Sequence, residues 1–242
     1  MKNLMGCRTI LIGIVLIIGF LTLAYWQAYP SYSWNQKVTM TVQAPDGILS
    51  ASSVGRMLVS EKVSLGIAEA GGINSDFEGE AVVVALPKGQ FLFSLITGAN
   101  SFSLKAFSDV PGVRRKADGS YAQWDESAKQ IQSLKGAGAF PPEHFPMLVA
   151  FGDINDPASV KEVDPNNLAA TFGPGYSLKS ITLEITDEPV TEGEVEKVLG
   201  WIENHRLWLR PPSMRLGEGL HPASQVLQIE KLSKSDFIRN KS

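Results

Sequence analysis

Eighteen consecutive residues without a charge, Thr9 to Trp26 (TILIGIVLIIGFLTLAYW), constrain this chain more than any other feature. As a helix rising 1.5 Å per residue, such a run covers roughly 27 Å, about the hydrocarbon thickness of a bilayer. Lipid offers no partner to backbone N–H and C=O groups, so only a helix could cross there. The run therefore predicts a transmembrane helix over residues 9–28, with Ile10, Leu11, Ile14, Leu16, Ile18, Phe20, Leu23 and Trp26 in the lipid. Tyr25, Trp26, Tyr29, Tyr32 and Trp34 follow at its end, where amphipathic rings suit the headgroup layer.

Lys2 and Arg8 precede the run, and the next charge is Lys37. The positive-inside rule then puts a tail of residues 1–8 in the cytoplasm and everything beyond a juxtamembrane segment, 29–36, outside. A cleaved leader is the rival reading. Against it, Trp26 stands where a small residue is needed if the leader ends at Ala28. Leu4-Met5-Gly6-Cys7 resembles a lipobox but precedes the apolar run instead of following it. The expected location is the cell membrane, single-pass, with the bulk of the chain extracytoplasmic (periplasmic in a Gram-negative cell). Membrane lipid is the partner expected of the helix, and an envelope protein the partner expected of the remainder.

Residues 37–242 carry 20 basic and 25 acidic side chains and no cysteine. The balance is uneven: residues 37–205 sum to −9 and residues 206–242 to +4. An acidic body gives no electrostatic reason to bind nucleic acid. A lone cysteine, Cys7, excludes an internal disulfide and any cysteine-cluster zinc site. The missing disulfides favour a bacterial envelope protein over a large eukaryotic ectodomain.

The periodicities predict an α+β domain, mainly antiparallel β with a few helices, over 37–242. Lys37–Val42 alternates Val38, Met40 and Val42 with polar residues, the period of a half-buried strand. Ala44-Pro45-Asp46-Gly47 is turn chemistry, and a second run starts at Ile48. Glu80–Leu86, Pro87-Lys88-Gly89 and Phe91–Thr97 read as a hairpin. Pro111–Tyr121, with Arg114-Arg115-Lys116, reads as an exposed loop, and Asp125–Lys135 as a short helix using Ala128, Ile131 and Leu134. Gly136–Pro146 reads as a loop. Met147–Phe151 and Leu178–Thr186 read as strands. Thr191 with Glu194 matches a capping box, followed by a helical stripe of Val195, Val198, Leu199 and Ile202. Leu227–Leu232 reads as a terminal strand.

The densest polar stretch runs from Asp153 through Asp156-Pro157 to Asp164-Pro165. Closely spaced oxygens can hold calcium, but Pro157 stands where a calcium loop wants a side-chain ligand. Turn chemistry explains the same residues, so no metal and no cofactor are expected. The pattern Asp153-x-x-Asp156-Pro157-x-Ser159-Val160-x-x-Val163-Asp164-Pro165, with Thr186-Asp187 and Thr191-x-Gly193-Glu194 after it, resembles uncharacterised single-pass membrane-anchored proteins of bacteria. The resemblance covers about the last hundred residues, implies no activity and adds weight to a bacterial source.

The nucleophile elbow, phosphate loop, zincin and dinucleotide motifs are absent from the sequence. His144, His205 and His221 lack metal-like spacing. Catalytic residues are thus unassigned, and the expected function is a binding or structural domain presented in the envelope. The alternative is an anchored hydrolase with a site near Asp153, Asp156 or His144.

Overall fold

The computed structural model describes residues 12–20, 30–61, 72–204 and 232–240. The chain divides into two compact units. The first comprises Met1–Tyr32 and Leu58–Ser75; the second comprises Ser33–Met57 and Asp76–Ser242.

In the first unit, residues 12–20 are helical, and Ile14, Leu16, Ile18 and Phe20 are exposed on that helix. Among the described residues no helix is long and apolar enough to cross a membrane. This overturns the expected transmembrane helix, and with it the membrane part of the fold class. Ile10, Leu11, Leu23 and Trp26 lie outside the described residues. The architecture is mostly antiparallel β sheet with few helices.

Among the described residues ten strands make two sheets. The six-stranded sheet has the order β10-β3-β2-β1-β9-β6, and the four-stranded sheet β4-β5-β7-β8. The strands are β1 Ser31–Ala44, β2 Gly47–Glu61, β3 Ile73–Glu80, β4 Val82–Leu86, β5 Gln90–Ser94, β6 Ala137–Ala139, β7 Leu148–Phe151, β8 Val160–Glu162, β9 Ser177–Thr186 and β10 Ile238–Arg239. Among the described residues after residue 100 the α-helices are α1 Phe102–Ala106, α2 Trp124–Ser133, α3 Ala169–Phe172 and α4 Glu194–Val198.

β1 follows its sequence period strictly. Trp34, Gln36, Val38, Met40, Val42 and Ala44 are buried at every second position, because successive side chains of a strand point to opposite faces. β1 pairs antiparallel with β9, setting Val38 opposite Leu183 and Met40 opposite Ile181. Trp34 does not stand in a headgroup layer. It is buried, and its indole Nε1 donates to Ser103 Oγ of α1 at 3.0 Å. Ser103 Oγ donates on to Gln36 Oε1, and Gln36 Nε2 donates to Ala99 O at 3.2 Å. The one amide on the buried face of β1 is thereby satisfied, as an interior polar group must be.

The expected hairpin is present as β4 and β5, in register from Val82 opposite Ser94 to Leu86 opposite Gln90. Its turn uses Lys88 (φ 64°) and Gly89 (φ 71°), both left-handed. Glu80 belongs to β3 and not to the hairpin; the chain changes sheets at Ala81, whose N–H donates to Phe237 O at 2.7 Å. β3 itself has no counterpart in the sequence reading, since INSDFEGE lacks an apolar run. The stretch read as a loop at Gly136–Pro146 contains β6, which pairs with β9 through Ala137, Gly138 and Ala139. The terminal strand falls at β10, and most of Leu227–Leu232 lies outside the described residues.

One core cluster gathers Phe93 and Leu95, Val149, Val160, then Val195, Leu199 and Ile202, with Phe237 and Ile238 from the last described segment. Phe93 meets Phe151 and Phe237 edge-on, at centroid distances of 5.6 and 5.8 Å, the geometry aromatic quadrupoles favour.

Candidate functional site

The sequence nominated Asp153, Asp156 and His144. Asp153 Oδ1 accepts from Asn155 N at 2.9 Å, and Asp156 Oδ1 accepts from Ala158 N at 2.9 Å. Asp156 is the N-cap of the 3-10 turn Pro157–Ser159. Ser159 Oγ lies 2.7 Å from both Asp153 O and Asp156 O and accepts from Asp153 N at 3.0 Å. Asp164 Oδ1 accepts from Asn166 N at 2.8 Å. These are Asx turns, in which a short carboxylate satisfies the backbone two residues ahead. Among the described residues no group of three or more His, Cys, Asp or Glu stands where it could hold a metal ion.

His144 ends the 3-10 turn Pro142–His144, ahead of β7, whereas Asp153 and Asp156 follow β7. β7 has four residues, so it spans about 13 Å between the two loops. The structure does not bring the histidine and the carboxylates together. His205 and His221 lie outside the described residues.

A different carboxylate is built into the second unit, and no sequence signal marked it. Glu80, the last residue of β3, is 3% exposed. Its Oε1 accepts from Glu194 N at 3.0 Å and its Oε2 from Val195 N at 3.3 Å. Those are first-turn N–H groups of α4, which have no partner within the helix. The expected capping box is therefore absent. The N-cap is Gly193 (φ 84°), and Glu194 pairs with Lys197. Thr191 faces β2: its Oγ1 accepts from Val54 N at 2.9 Å, and its N–H donates to Val54 O at 2.9 Å. Ser53 Oγ donates to Glu80 O at 2.7 Å. β2, β3 and the start of α4 are thus sewn together by three side chains far apart in sequence.

Burial pushes the Glu80 carboxyl above its ordinary range, and the nearby Glu196 and Glu194 push it the same way. The two N–H bonds pull it down, and burial prevails. Beside it lies a pocket of about 360 Å³, lined by Glu78, Glu80, Glu192 and Glu196, with Thr191 and Arg239. Glu196 Oε2 is buried and has no hydrogen-bond partner among the described residues. Glu78 is drawn toward Arg56, 3.8 Å away. A second cavity, about 10 Å³, is lined by Gln36, Ser53, Glu80 and Ser94; that is room for about one water molecule.

Among the described residues the pocket walls carry four carboxylates and the Thr191 hydroxyl, and no His, Cys, Ser or Lys. Glu80 presents both oxygens to backbone donors, so its chemistry is that of a cap. No family model, no curated protein and no solved structure matches this chain.

Proposed function

We propose that the chain provides a binding or structural domain on the extracytoplasmic side of a bacterial cell envelope, where it engages another protein. One observation carries the choice over a hydrolase. The carboxylates nominated for chemistry, Asp153 and Asp156, are spent on their own turns, and His144 stands across β7 from them. A general base has to reach the proton it removes, within about 3 Å or through one water. Among the described residues neither aspartate is hydrogen-bonded to an imidazole.

The test has three arms. A reporter active only outside the cytoplasm, fused after Ser242, is expected to be active. Site-specific photocrosslinkers on the second unit of the full chain are expected to trap one partner in cells. Purified full chain offered ester, peptide and glycoside substrates is expected to turn over none of them. Turnover that disappears in His144→Ala or Asp153→Asn would overturn the reading in favour of a hydrolase.

A further inference from the structure

We propose that Glu80, with the Glu196 charge beside it in the same pocket, tightens the seam between β3 and α4 when the surroundings turn acidic. Three observations meet here. Glu80 is enclosed and holds the two leading N–H groups of α4. Glu196, one helical position beyond Val195, has an oxygen that is buried and unpartnered among the described residues. Both carboxylates line the same pocket, and the charge of Glu196 is felt at Glu80.

With both groups ionised, like charges sit together in a partly water-excluded place, which is costly. A proton taken from solvent by Glu80 removes that repulsion and converts one carboxylate oxygen into an O–H donor.

Other charged groups stand around Glu80. On α4, Glu194 is engaged by Lys197, whose ammonium also feels the Glu80 charge. On β3, Glu78 faces Arg56 of β2. On β10, Arg239 Nε donates to Ser235 O at 3.2 Å. Glu192 adds a further negative charge to the pocket wall.

The sign follows from linkage. A carboxyl whose folded-state pKa lies above its unfolded value binds its proton more tightly when folded. Its stabilisation is complete below the unfolded value of 4.5 and is lost as pH rises through the folded one. Acidification therefore closes the seam, and neutral pH loosens it.

The experiment is a carbon-13 titration of glutamate carboxyls in the full chain, with urea unfolding over the same pH range. The Glu80 resonance is identified by its loss in Glu80→Gln. Should that variant fail to fold, its coupling to the Glu194 and Val195 amides identifies it in the wild type. The expected result is a Glu80 midpoint above the ordinary glutamate range, which falls in Glu196→Gln and stays in place in Glu192→Gln. Glu196→Gln should also flatten the gain in urea midpoint on acidification. A Glu80 midpoint in the ordinary range, or one unmoved in Glu196→Gln, overturns the proposal. Equal shifts in Glu192→Gln and Glu196→Gln overturn it too, because the cause would be a diffuse acidic surface and not the Glu196 charge.

Discussion

Asp153 and Asp156 accept hydrogen bonds from N–H groups two residues ahead, on an exposed loop. Glu80 accepts from N–H groups 114 and 115 residues ahead, in the interior. The chemical group is the same, yet the two regions use it for different ends. The loop uses carboxylates to shape a local turn, which water could solvate almost as well. The seam uses one to close the start of a helix more than a hundred residues away. A lost bond in the first case returns a group to solvent; in the second it leaves buried donors with nothing to bind.

That contrast can be broken by mutation, and the effects should fall in a definite order. The largest belongs to the core beneath the seam. Phe237→Ala removes a fully buried ring that packs on Phe93 and Phe151; a loss of about 3–5 kcal/mol is expected in urea unfolding. A loss under about 1 kcal/mol would mean that the last described segment contributes little to the core.

Glu80→Ala comes next. It orphans two buried N–H groups but also relieves a buried charge, so a loss of about 1–3 kcal/mol is expected. Because burial raises the Glu80 pKa, its contribution is greatest at acidic pH, and the loss should grow as pH falls. Unfolding at two pH values decides it; a loss that instead grows toward alkaline pH would contradict the assigned sign.

Gly55→Ala probes the β2–β3 contact beside the seam. A Cβ there would run into the Phe77 ring at Cζ and Cε2 and lie 3.0 Å from Glu78 O. The ring must move, at a cost of about 1–3 kcal/mol for overpacking. Thermal unfolding alongside Phe77→Leu tests the cause, since the smaller side chain should relieve much of the penalty.

The smallest effect belongs to the loop. Asp156→Ala removes one exposed backbone bond and should cost about 0.5–1.5 kcal/mol. Millimolar calcium should leave the melting temperature unchanged, because a ligand stabilises only a state that binds it. A rise of several degrees that vanishes in Asp156→Ala would make the loop a cation site.

The same contrast explains what could be read from the sequence. β1, the β4–β5 hairpin, β7, β9 and α2 each carry their signal within a few residues: an alternation, a turn tripeptide or a helical stripe. The Asp153–Asp164 turns are equally local. β3 escaped because its sequence is polar and its burial is confined to its end, at Gly79 and Glu80. The capping box at Thr191 and Glu194 had the right spacing, but distant partners outbid it: Val54 takes Thr191, and Glu80 takes the N–H groups. The apolar run at 9–28 was the loudest signal, yet no helix among the described residues is long and apolar enough to cross a membrane. Trp34, counted as a headgroup aromatic, is a core residue anchored to Ser103.

Amide hydrogen exchange at Glu194 and Val195 tests the seam most directly. These N–H groups stand in the first turn of a five-residue helix, where no carbonyl within the helix can protect them. If Glu80 holds them, both exchange slowly in the wild type and fast in Glu80→Ala, while Asn155 and Ala158 exchange alike in the two proteins. Fast exchange of Glu194 and Val195 in the wild type would contradict the account.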